Sequence, residues 1–193
     1  MDAELVPWIK SGLRLVHFAG IILGVGAATL LDLIIFRFVL LKQIEETYIR
    51  VIEFASDIIS VGLALLWASG IGFLIYYLFY DPSKLDNPKL FAKFVIVGVL
   101  TLNAFLVHHF VLPQVEIQIG QHLFDGLTRL HRFLLILIGT ISAISWYVPL
   151  VLGIVPQFNN VIPSETILSS YAALILLVNI VIQIVLIIIQ KGF

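Results

Sequence analysis

Cysteine is absent from this 193-residue chain, and methionine occurs once, at Met1. Those absences exclude disulfides, iron–sulfur clusters, thiolate-bound zinc and thiol nucleophiles, so any metal or haem has to be held by His, carboxylate, Lys or Tyr. Charge is scarce too: charged residues make up 12% of the chain, against ~25% in an ordinary soluble domain. The net charge is −1 and no basic block occurs, which leaves no electrostatic footprint for DNA or RNA. What is abundant is apolar. Hydrophobic residues reach 61% and mean hydropathy is +1.11, more than a soluble globule of this size can cover, so the partner of most of the surface is a lipid bilayer. Soluble enzyme, nucleic-acid binder and disordered chain are disfavoured together. The N-terminus is acidic at Asp2 and Glu4 where a secretory signal is basic, so the first apolar run reads as a retained helix.

Five runs approach or exceed the ~20 residues needed to cross the hydrocarbon layer. They lie at about 13–41, 52–80, 90–113, 131–155 and 167–190, separated by a charged turn at 42–50, a turn at 81–88, a longer segment at 114–130 and a polar turn at 157–165. Continuous apolar character without period-2 alternation argues against a transmembrane barrel. The expected architecture is therefore all-α: one transmembrane domain over 1–193, with the first four helices forming a bundle and the fifth packed outside it. Lys10, Lys84 and Lys89 fall on one side of the membrane and Lys42, Arg50, Arg129 and Lys191 on the other. The positive-inside rule makes the second side cytoplasmic, with the N-terminus out and the C-terminus in.

Ionisable residues at depth carry the most information, since each costs about 2.5–3.5 kcal/mol on insertion scales and turns toward the bundle interior. These are His17, Asp32, Lys93 and His108. His17 and Asp32 are fifteen residues apart, which places them about 60° apart around the first helix and roughly 22 Å apart along it. Lys93 and His108 repeat that spacing on the third span, which crosses in the same direction. Two tiers follow, with His17 level with Lys93 and Asp32 level with His108. A small-residue row, Gly20, Gly24 and Ala28, leads to Asp32 and suits close helix packing. A polar stripe, Glu53, Ser56, Asp57 and Ser60, opens the second span, and the fourth begins with His131 and carries Ser142, Ser145 and Trp146.

Several chemistries suit these groups. The leading expectation is a redox role, electron or proton transfer through a bound b-type haem or metal: His108 and His131 on neighbouring helices could clamp such a haem between two imidazoles. Asp32, Glu53 and Asp57 with His108 and His131 could instead bind a non-haem metal, since carboxylate plus imidazole suits Fe, Mn or Zn. No tight ligand spacing such as Glu-x-x-His supports that set. A cofactor-free proton relay or small transporter needs only the same ionisable groups, and a homo-oligomer or an accessory subunit of a larger membrane complex is the structural alternative. The plainest reading of Asp32 is a static contact with Arg37 or a serine.

Trp8, Arg14, His17, Phe18, Ala19 and Gly20 on the first span, with Lys93 opening the third and His108 near its end, resemble a group of small bacterial membrane proteins with four or five helices. The likeness covers about residues 8–113. The group includes uncharacterised inner-membrane families, the copper-resistance D-like proteins and the small haem-dependent membrane protoporphyrinogen oxidase. The resemblance implies a helical protein of the bacterial inner membrane that binds haem, and, from the oxidase family, cofactor-linked roles for His17 and Lys93.

Overall fold

An apolar run in lipid has to satisfy every backbone N–H and C=O within itself, and a helix does so segment by segment. The computed structural model describes residues 5–40 and 44–191, and in it all five runs are helices: α1 (Leu5–Leu40), α2 (Glu46–Tyr80), α3 (Pro88–Ile117), α4 (Arg129–Ile154) and α5 (Ser164–Lys191). Each is long and apolar enough to cross a membrane. The described residues contain no strand, only an isolated bridge between Ile44 and Ile119. The chain is thus an all-α, multi-pass membrane helix bundle.

Local chemistry sets the ends. Asn87 caps α3, its side chain accepting from the Lys89 backbone N–H at 3.1 Å with Pro88 in the first turn, and Thr128 caps α4 by accepting from the His131 N–H at 3.2 Å. The helices start two to eight residues earlier than hydropathy suggests, because polar first turns such as Glu46–Arg50 lie outside the hydrocarbon but remain helical. The expected end of the first span at residue 41 lies outside the described residues. Pro113 was expected to close the third span, yet α3 continues to Ile117. The helix accommodates the proline, which has no N–H to give, by widening: Val107–Val111 form a π turn, and the Leu112 N–H reaches back five residues to the Val107 carbonyl.

α1 and α2 form an antiparallel pair through the small-residue row. Gly20 faces the Gly62 carbonyl, Gly24 faces Gly62, and a β-carbon on Gly62 would lie 2.5 Å from the Gly24 nitrogen. The Trp146 indole of α4 seats directly on Gly24, so only glycine fits there. Around this crossing Ala28, Leu63, Leu100 and Trp146 make the central core. Phe38, Ile44, Ile52, Ala55 and Val115 close one end, while Ala92, Ile96, Leu152, Ile167 and Tyr171 pack α5 onto α3 and α4. That fifth helix is tied in more firmly than a purely apolar packing helix: the Tyr171 hydroxyl pairs with Ser145 Oγ at 2.7 Å in a buried setting, and Asn179 is turned inward, 4% exposed.

Candidate functional site

The lower of the two polar tiers surrounds a cavity of about 60 Å³ between α1, α2, α3 and α4. Asp32, Ser56, Ser60, His108, Ser142 and Trp146 all line it. Ser56 Oγ lies 3.3 Å from His108 Nε2, and Ser60 donates to the Ser56 carbonyl at 3.0 Å. Asp32, half-buried, makes no hydrogen bond or ion pair among the described residues. The static contact with Arg37 or a serine is therefore not formed, and its carboxyl is left facing a gap lined mostly by apolar side chains such as Leu31, Ile59 and Leu100. The widened turn in α3 carries His108, and the neighbouring His109 folds back on its own helix, its ring stacked on Phe105 with Nδ1 2.9 Å from the Phe105 carbonyl.

The upper tier has a different composition. His17 Nδ1 is 2.9 Å from Ser69 Oγ, and that hydroxyl already donates to the Leu65 carbonyl at 2.7 Å. A hydroxyl has one proton, so Ser69 accepts from His17, which fixes Nδ1 as the protonated nitrogen and leaves Nε2 available. The His17 ring meets Phe73 edge-on at 5.8 Å. Lys93 Nζ lies beside the last turn of α4, 3.5 Å from where a β-carbon on Gly153 would be. Lys89 is 4% exposed, with Nζ donating to the Val155 carbonyl at the end of α4 at 2.7 Å. Between the tiers, Trp67 bonds Thr101 at 2.9 Å and Thr29 bonds Tyr147 at 2.6 Å.

Not every residue picked from the sequence joins a tier. Glu53 and Asp57 are exposed: Ile52, Ala55, Ser56 and Leu63 are buried in α2, the exposed Ser60 falls at the edge of that arc, and the two carboxylates lie further round. His131 is exposed in the first turn of α4 and does not line the cavity. Among the described residues, no three of His, Asp or Glu gather as a metal-binding group. The set Asp32, Glu53, Asp57, His108 and His131 is thus not brought together. Haem fits poorly as well, because a 60 Å³ gap has room for about two to four waters rather than a porphyrin, and His108 and His131 do not share it.

Two participants escape a reading by hydropathy. Lys89 looks like a loop charge because it sits next to Pro88, although its four-residue step from Lys93 puts both amines on one face. Ser69 looks like a packing residue, and only the antiparallel register of α1 and α2 brings it to His17. No family model matches the chain, and no curated protein or solved structure gives a significant match.

Proposed function

We propose that this chain is a cofactor-free proton relay or small proton-linked transporter of a bacterial inner membrane, with Asp32 and His108 as the groups that exchange the proton. One observation carries the reading: an intramembrane carboxyl without a partner opens onto the same cavity as an imidazole bonded to a serine. Intramembrane ionisable groups mark ion and proton pathways. A water in the gap can take the proton from Asp32 and pass it to Ser56 Oγ as Ser56 gives its own to His108 Nε2. Each hop breaks one bond to hydrogen and forms another, and no other reactant is needed.

The bacterial setting follows from the resemblance over residues 8–113. The orientation, N-terminus out and C-terminus in, gains support from the burial of Lys89, since a lysine tied to Val155 no longer counts as a free loop charge and the first side keeps only Lys10 and Lys84. The test is proton flux into liposomes holding the purified chain, read by an internal pH dye. Wild type is expected to conduct, Asp32→Asn to abolish flux and His108→Gln to reduce it. Wild-type flux no greater than that of empty liposomes, or flux unaltered by Asp32→Asn, rejects the relay. A visible spectrum of the same preparation before and after dithionite, with elemental analysis for Fe, Mn and Zn, decides the haem and metal alternatives directly.

A further inference from the structure

Hydroxyls in the spans are mostly closed off by their own helices. Thr29, Ser60, Ser69, Thr101, Thr140 and Ser145 each donate to a carbonyl four residues back. Ser142 differs: it lines the same cavity as Asp32 and makes no hydrogen bond among the described residues. Protons are scarce around that gap. Ser60 has spent its own on the Ser56 carbonyl, and Ser56 and His108 Nε2 share one between them. The lining oxygens left over are therefore acceptors, the Asp32 carboxylate, Ser60 Oγ and Ser142 Oγ, with the Ser142 proton as the uncommitted donor. The widened turn adds one more acceptor. Four residues on from His108, the Leu112 N–H has gone to Val107, and five residues on stands Pro113, which has no N–H, so α3 itself supplies no donor to the His108 carbonyl. In lipid a carbonyl left out of its helix ladder has to find another partner.

We infer that this cavity binds one monovalent metal cation, sodium or potassium, with Asp32 as the counter-charge and Ser60 Oγ, Ser142 Oγ and the His108 carbonyl as neutral oxygen ligands. A surplus of acceptors suits a dehydrated cation, toward which every ligand turns a lone pair, and backbone carbonyls freed from a helix replace an alkali ion's hydration shell inside membrane bundles. The lining also sets the charge. Asp32 and His108 are the ionisable side chains that line the gap, so one carboxylate balances one positive charge, and a divalent ion would bring a second that nothing offsets. A volume of about 60 Å³ admits the ion with a water or two. The inference rests on the same reading of cavity and carboxyl as the proton relay, and it names the ion exchanged against the proton: Asp32 holds one or the other.

The test uses the full chain in neutral detergent at one fixed pH, titrated with sodium chloride or potassium chloride against choline chloride at matched ionic strength, with the thermal midpoint as readout. Choline is too large for the gap and serves as the blank. Wild type is expected to be stabilised by the alkali cation, the stronger of the two responses naming the occupant. Asp32→Asn is expected to abolish the response and Ser142→Ala to weaken the apparent affinity about tenfold. In choline alone both variants are expected to melt with wild type, which separates lost binding from lost folding. Asp57, exposed on α2 and off the cavity, controls for charge, and Asp57→Asn is expected to leave the affinity unchanged. Stabilisation by neither cation, an equal response in wild type and Asp32→Asn, or an equal loss in Asp57→Asn overturns the site. Proton flux without a cation response removes the site and keeps the relay, and a cation response without flux does the reverse.

Discussion

The two tiers solve the same problem, ionisable groups inside lipid, in opposite ways. Below, Asp32 and His108 face a shared gap with serines around it, and the carboxyl is left without a fixed partner. Above, Lys89 is braced on a helix-end carbonyl and His17 on a serine that is itself anchored, and of the tier's ionisable groups Lys93 is left without such a bond among the described residues. The contrast teaches that depth along the bundle alone does not tell a structural group from a working one, for Asp32 is half-buried and His108, though it lines the cavity, is exposed. What separates them is whether the fold has already used the group's hydrogen-bonding capacity.

The harshest way to break the comparison is to remove the frame that both tiers share. Gly62→Val pushes side-chain atoms into the Gly24 backbone and is expected to cost about 3 kcal/mol or more by overpacking, read as a collapse of the thermal midpoint with both tiers lost. An unchanged midpoint refutes the close crossing. Lys89→Met acts on the upper tier alone: it leaves the Val155 carbonyl without its charged donor and is expected to cost about 2 kcal/mol, measured by denaturant titration in mixed micelles. Asp32→Asn is the matching change below. With no bond to lose, it is expected to move stability by less than ~0.5 kcal/mol while removing flux, and a loss as large as that of Lys89→Met erases the distinction. Smallest of all, Glu53→Gln and Asp57→Asn are expected to leave both stability and flux alone, because their side chains are exposed and off the cavity. A flux defect in either brings them back into the pathway.

The helices were legible because a bilayer imposes one length and one polarity on every span, so run lengths placed all five with errors confined to their ends. The levels of the ionisable residues were legible for a related reason: rise per residue converts spacing into depth. Facing was less so. Glu53 and Asp57 lie in the same sector as Ser56 and Ser60, and only the packing of Ile52, Ala55 and Leu63 decides where the buried arc ends. Lys89 was misassigned to a loop because proline and lysine together resemble a boundary, and a backbone carbonyl that caps an amine leaves no trace in side-chain composition. The role of Tyr171 in tying α5 to Ser145 was invisible because a single tyrosine reads equally well as part of an interfacial belt.

The widened turn at Val107–Val111 acts as a phase corrector. Asn103 and Val115 are both almost fully buried, 2% exposed each, yet twelve residues of regular helix rotate through 1200°, leaving about 120° between them, so that one would face lipid. One surplus residue in the turn takes out about 100° and returns both to the same side. A chain with this architecture but without the surplus residue matches this one only after a one-residue gap is opened between 107 and 111. Deleting the exposed Phe110 is therefore a milder change for the far end of α3 than inserting a residue beside it.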